Sequence, residues 1–238
     1  MDMQGKVALI TGANRGLGRA LSAALAERGA MVLMVCRDEE AGRAASKGLW
    51  DQGYDVALHL ADMGRIEDIE ALHDEVAEKF DRLDVLVNNA GVNLDEEDTT
   101  VETLPLDVLE RTMAINFVGP LWLCKRMIPL LKRSQSGRII NYTSGLGQLS
   151  VPRQGRYPAY SMSKTAINAL TRALADELAD AGIIVASVDP GWCQTGMGGP
   201  SAPRSPEEGI ASALWLATAD PDELQSGVLY YDREVIPW

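Results

Sequence analysis

The sequence predicts an α/β fold: a doubly wound, mostly parallel sheet of about seven strands with helices on both faces, as a single domain over residues 1–238. Three observations lead there. Short runs rich in Val, Leu and Ile alternate along the chain with longer segments of helical periodicity, the pattern of repeated βαβ units. A chain of 238 residues can bury most of its apolar surface in one unit, and no linker divides it. A glycine-rich turn follows the first strand and opens the first helix, where such sheets bind ligands.

The elements follow in order. Residues 6–11 are the first strand. Over 16–28, Leu17, Ala20, Leu21, Ala24 and Leu25 recur at the spacing of one helix face. Strands are expected at 31–36, 55–60 and 83–88, with helices at 39–52 and 66–80 between them. Residues 93–103 are polar and acidic through Asp95, Glu96, Glu97, Asp98 and Glu102, and read as a surface loop. A long helix is expected over 106–132, kinked or cut short by Pro120 or Pro129. Strands at 138–142 and 183–188 flank a helix over 159–181. A Gly/Pro/Ser-rich loop spans 190–206, and a helix opens at Pro206 with two glutamates and runs to 219. A short strand at 228–231 comes last.

Composition excludes several functions. The net charge of −12 repels phosphate backbones and anionic lipid, so neither nucleic acid nor a membrane surface is an expected partner. Three cysteines without a CxxC pair argue against a disulfide framework and fit a reducing cytoplasm. His59 and His73 form no metal-ligand spacing, so no metal site is expected. The first residues lack the apolar core of a signal peptide, and no apolar run is long enough to span a bilayer.

The first chemical motif is Thr11-Gly12-Ala13-Asn14-Arg15-Gly16-Leu17-Gly18. Glycine permits a tight turn and close approach of the backbone to a pyrophosphate, and the helix start offers free N–H groups. The spacing is Gly-x3-Gly-x-Gly rather than GxGxxG. Here the chain resembles the short-chain dehydrogenase/reductase family, with its TGxxxGxG pattern and Rossmann-like sheet. The resemblance implies that Gly12, Gly16 and Gly18, with Asn14, Arg15 and Leu17 around them, line a dinucleotide site. The second strand ends Cys36-Arg37-Asp38. An acid at this strand end would hold a ribose 2′-hydroxyl. Arg37 and Arg15 instead suit a 2′-phosphate, which favours NADP(H) over NAD(H). Asp38 either starts the next helix or reaches the ribose. Asp62 matches the family's adenine contact or caps a helix. Asn89, Ala90 and Gly91 belong to the family's NNAG motif and support the adenosine half.

The second motif is Tyr160-Ser161-Met162-Ser163-Lys164. Four positions on a helix place Tyr160 and Lys164 on one face. A free phenol titrates near 10, and a nearby ammonium is expected to bring it toward neutral pH. Ser144, just past the fifth strand, can donate to a substrate oxygen, with Thr143 as its local competitor. The family shows this Ser-Tyr-Lys order at slightly shorter spacing, and the extra residues 151–155 are expected to enlarge one wall of the site. Asn116 completes the set that the resemblance implies, holding a water and the lysine. Pro190, Gly191, Trp192 and Thr195 follow the sixth strand, where the family holds the carboxamide; Trp192 either packs or meets substrate. Residues 196–204 have the composition of a mobile lid. Tyr231-Asp232-Arg233 and Ile236-Pro237-Trp238 resemble the tail of carbonyl-reductase-like members.

The expected function is NADP(H)-dependent hydride transfer between nicotinamide and a carbonyl or alcohol carbon, in a cytoplasmic homodimer or homotetramer. The long-branch epimerases of the family need a sizeable C-terminal substrate domain, and only 48 residues follow Pro190. A binding regulator without turnover fits poorly with an intact Asn116, Ser144, Tyr160 and Lys164.

Overall fold

Val, Ile and Leu dominate the strands because a sheet covered on both faces has no wet side. The computed structural model describes residues 2–151 and 156–238. The apolar runs form β1 (Val7–Thr11), β2 (Met31–Cys36), β3 (Val56–Leu60), β4 (Val85–Asn88), β5 (Arg138–Tyr142), β6 (Ile184–Val188), β7 (Leu229–Tyr231) and β8 (Glu234–Ile236). They make one sheet in the order β3-β2-β1-β4-β5-β6-β7-β8. All neighbours are parallel except β7 and β8. The sheet thus has eight strands where about seven are expected. The extra strand is the far arm of a two-residue hairpin in which Asp232 and Arg233 both take positive φ. It is only three residues long and largely exposed, so no apolar alternation marks it.

Two apolar clusters sandwich the sheet. On one face Leu21 and Leu25 of α1 (Gly16–Ala26) and Leu216 of α8 (Ala211–Thr218) pack on Ala8, Ile10, Val32 and Met34. On the other, Leu72 of α3 (Ile66–Lys79), Met127 of α5 (Gly119–Leu131) and Ile167 of α6 (Pro158–Glu177) pack on Leu9, Leu33, Leu86 and Ile139. Successive residues of β1 and β2 therefore serve opposite cores, as the strand period of two requires. Each fully buried Leu or Ile contributes ~1.5–3 kcal/mol. The remaining helices are α2 (Glu39–Trp50), α4 (Leu106–Met113) and α7 (Pro206–Gly209).

The helix expected over 106–132 runs its full length, but it is interrupted by a wider turn just ahead of Pro120. α4 passes into a π-helical turn over Ala114–Val118, and α5 follows with Pro120 in its first turn and Pro129 inside it. Pro120 has no N–H for the Asn116 carbonyl four residues earlier, so a regular α-helical bond cannot form there. The wider turn falls at that place and carries Asn116. The helix expected over 206–219 is likewise two pieces, α7 and α8, joined at Ile210.

Candidate active site

The parallel strands end together, and the order reverses between β1 and β4, which opens a crevice beyond their carboxyl ends. A cleft of about 840 Å³ lies there, running from Gly12–Leu17 past Cys36-Arg37 and Ala61-Asp62 to Ser144, Tyr160 and Lys164.

At the nucleotide end, Gly12 and Gly16 take φ +66 and +53, which L side chains rarely adopt. Asn14, Arg15, Gly16 and Leu17 line the cleft. Arg15 gives α1 no side-chain cap, and the first turn carries no acid, so the amide-rich start stays open to an anion. These features fit a dinucleotide pyrophosphate. Gly18 has another position: it lies beneath the loop, where a Cβ would sit 2.3 Å from the Gly12 carbonyl oxygen and 2.6 Å from Asn89 Nδ2. It lets α1 approach β4 rather than lining the cleft. Asn89 braces the same corner by donating from Nδ2 to the Thr11 carbonyl at 2.8 Å and to that of Gly12 at 3.2 Å. Ala90 and Gly91 line the cleft beside it.

Arg37 lines the cleft at the end of β2. Asp38 turns away to cap α2, its Oδ1 accepting from Ala41 N at 2.9 Å. Of its two expected roles the structure shows the cap. Asp62 lines the cleft and accepts from Gly64 N at 2.8 Å, while Arg65 occupies the residue before α3, so Asp62 is not that helix's cap. Arg15 reaches the far wall: a Cβ on Gly196 would lie 3.2 Å from its Nη1.

At the opposite end β5 delivers Thr143 and Ser144, and α6 delivers Tyr160 and Lys164. Thr143 is buried and donates to the Lys164 carbonyl at 3.2 Å, which leaves Ser144, whose Oγ accepts from Leu146 N at 3.2 Å, as the hydroxyl that acts on the Tyr160 phenol. Burial pushes the Tyr160 phenol up to about 12; the Ser144 bond lowers it and the Asp189 carboxylate raises it further. The expected acidification by Lys164 is absent. Lys164 Nζ donates to the Tyr142 carbonyl at 2.8 Å and stands 5.6 Å from the Tyr160 ring centroid. Burial draws Lys164 itself down to about 8, with Asp189 opposing. Desolvation outweighs the mutual influence of phenol and ammonium.

Asn116 holds the two halves of the site together. Its Oδ1 accepts from Val92 N at 2.8 Å, and Nδ2 donates to the Val92 carbonyl at 2.8 Å and to Ser163 Oγ at 3.0 Å. Ser163 donates onward to the Tyr160 carbonyl at 2.7 Å. The side chain is thus engaged with Val92 and Ser163 rather than with Lys164. Pro190, Gly191, Trp192 and Thr195 all line the cleft. Trp192 is 57 % exposed and donates from its indole to Gly198 O at 2.8 Å, so it packs within its own loop while facing the cleft. The Thr195 hydroxyl accepts from Gly198 N at 3.1 Å. The enlarged wall expected from residues 151–155 falls on positions 152–155, outside the described residues.

Two cleft residues have no sequence motif of their own. Asp189 precedes Pro190-Gly191, and its carboxylate accepts from the N–H groups of Gly191 and Gly145, tying the Ser144 turn to the loop after β6. Tyr157 lines the cleft with φ 54 and ψ 61, a conformation strained for an aromatic residue. A charged residue at a strand's carboxyl end was the available signal for the first; nothing local marks the second. Among the described residues no helix is long and apolar enough to cross a membrane, and no side-chain cluster could hold a metal ion.

A short chain dehydrogenase family model matches residues 6–205. Carbonyl reductase 1 (NADPH) of Mus musculus is 31 % identical over the full length of both chains. A 3-oxoacyl-acyl-carrier-protein reductase of Vibrio cholerae is 32 % identical, covering 97 % of this chain and 91 % of that protein. Among solved structures, an NADPH-bound carbonyl reductase from chicken fatty liver superposes with a TM-score of 0.85 at 26 % identity, covering 99 % of each chain. A Burkholderia cenocepacia short chain dehydrogenase in complex with NADP gives 0.86 at 27 % identity, covering 96 % of each. Glycine turn, cleft and Ser144-Tyr160-Lys164 cluster therefore sit on the scaffold these relatives share, and the chain belongs to the short-chain dehydrogenase family as a carbonyl-reductase-like oxidoreductase.

Proposed function

We propose that the protein is an NADP(H)-dependent reductase that converts a small-molecule carbonyl compound to the alcohol, reversibly. One observation carries the reading: a single cleft has Ser144, Tyr160 and Lys164 at one end and the glycine turn with Arg37 at the other. Gly12, Asn14, Gly16 and Leu17 would hold the pyrophosphate and Arg37 the 2′-phosphate, while Arg15, whose guanidinium lies against Gly196, would close over the cofactor toward the loop after β6. With Asp38 engaged at α2, no acid is left at that strand end to favour NAD(H). Asp62, Asn89, Ala90 and Gly91 would support the adenosine half. Lys164 would hold the nicotinamide ribose, and Pro190, Gly191, Trp192 and Thr195 the carboxamide. When bound, the nicotinamide supplies the hydride.

The chain's own work is at the substrate oxygen. Ser144 donates a hydrogen bond to it and stabilises the charge that develops there. Tyr160 gives it a proton. Burial holds the phenol in its protonated form at neutral pH, so Tyr160 has the proton to give. Asn116 braces the Tyr160 carbonyl through Ser163 and ties that turn of α6 to Val92 in the loop after β4. Leu146, Tyr157, Trp192 and Met197 give the cleft apolar surface for the rest of the substrate. Tyr160→Phe tests the assignment. Turnover across a panel of aldehydes, ketones and quinones should fall about 10³-fold while NADPH binding stays nearly unchanged. Residual turnover within tenfold of wild type removes the proton-transfer role.

A further inference from the structure

The catalytic helix has no cap of its own. Tyr157, the residue before α6, contributes no side-chain bond, because its ring faces the cleft. Pro158 opens the helix and brings no N–H. Ser161 N already bonds the Tyr157 carbonyl at 2.9 Å. That leaves two orphan donors in the first turn, the amides of Ala159 and Tyr160. Both are taken by one carboxylate from the acidic loop. Asp95 Oδ1 accepts from Ala159 N at 3.1 Å and Oδ2 from Tyr160 N at 2.9 Å. Asp95 is itself oriented by Asn93, whose Oδ1 accepts the Asp95 N–H at 3.3 Å.

We propose that Asp95 is a positioning residue for the reaction, acting through the backbone of Tyr160, and that the loop after β4 is thereby part of the active site. The proposal rests on the hydride-transfer reading. The geometry supplies its logic. Tyr160 is anchored at both main-chain groups, its N–H by Asp95 and its carbonyl by Ser163, which Asn116 holds in turn. Asp95 also secures the corner at which Tyr157 is kept in a left-handed conformation. Without the carboxylate the first turn of α6 can unwind toward Tyr157. A reacting group displaced by about 1 Å can cost up to ~10²-fold in rate. The neighbouring Glu97–Arg156 pair, 3.3 Å apart and exposed on both sides, adds little to this anchoring.

The test uses Asp95→Ala, Asp95→Asn and Glu97→Gln, with kcat expressed per NADPH-binding site measured by nucleotide fluorescence. Asp95→Ala should lower kcat by about ten- to a hundredfold with the NADPH Kd within about threefold. Asp95→Asn retains one acceptor oxygen and should recover part of the loss. Glu97→Gln should match wild type. Hydrogen exchange at the Ala159 and Tyr160 amides should speed up at least tenfold in Asp95→Ala and stay unchanged in β4. An unaltered kcat per binding site, a loss that merely tracks the number of binding sites, or unchanged exchange at those two amides overturns the proposal. A wild-type protein that reduces no carbonyl in the panel counts against the hydride reading alone. The exchange measurement then still decides whether Asp95 holds Tyr160.

Discussion

Two helices begin at the same cleft, and the chain finishes their N-termini in opposite ways. α1 starts without a side-chain cap and without an acid in its first turn. α6 starts beneath Asp95, which takes both free amides. An open helix start is an anion site, whereas a closed one is a fixed point. On the proposed function, the difference separates the end that binds the cofactor from the end that reacts. Where a phosphate is to sit, the protein leaves donors unpaired; where a phenol must be aimed, it leaves none.

The largest effect belongs to the reacting end. Lys164 is buried and held near 8, against an ordinary value of 10.5. At neutral pH its ammonium costs the fold roughly 3 kcal/mol, an upper figure. Because the folded value is depressed, the unfolded chain binds the extra proton between the two values, and stability rises with pH across that window. Lys164→Met should therefore abolish measurable turnover yet melt higher than wild type at pH 7. Its net gain is about 1–2 kcal/mol once the lost bond to the Tyr142 carbonyl is counted. The difference between the two proteins should shrink from pH 8 to 10.5. A variant less stable than wild type at pH 7 would show that the ammonium is better solvated than its burial indicates.

The binding end breaks differently. Gly18→Ala places a Cβ 2.3 Å from a backbone oxygen that cannot yield cheaply. Separation of α1 from the β4 end should weaken NADPH at least about 10²-fold and cost 1–3 kcal/mol in a thermal melt. Wild-type NADPH affinity in this variant would show that the close approach is dispensable.

These two sites also show what the sequence made legible. Gly12, Gly16, Ser144, Tyr160 and Lys164 stand in short motifs with fixed spacing, and the strands behind them are plain apolar runs; periodicity and motif suffice for both. β8 escaped because three residues, two of them exposed, are too few to carry a period. The π turn escaped because a proline announces a missing donor but not how the preceding turn will widen. The titration of Tyr160 was misjudged in direction, and that of Lys164 was not foreseen, because four-residue spacing shows that two groups share a face, whereas burial depends on β5 and β6 packed around them. Asp95 was the least legible. Its partners are 64 and 65 positions away, and an acid in an acidic loop looks like solvated surface until the loop is folded over α6.

At the adenosine end, Arg37→Asp should shift preference from NADPH toward NADH by about ten- to a hundredfold in the ratio of kcat/KM. An unchanged ratio would place the 2′-phosphate elsewhere. Asp38→Ala sharpens the same point with the smallest effect. Asp38 is the third way to finish a helix start beside this cleft: a local cap, one residue past the proposed phosphate site. If capping is all it does, its removal should cost about 1 kcal/mol and lower the melting temperature by about 2–4 °C. The kinetics with NADPH and with NADH should then stay as they were. If the side chain also leaves Ala41 to reach a ribose hydroxyl when NADH binds, the KM for NADH rises on top of the lower melt. The two outcomes differ in whether the NADH kinetics respond, so this modest substitution decides whether the acid beside Arg37 belongs to α2 alone or also to the cofactor.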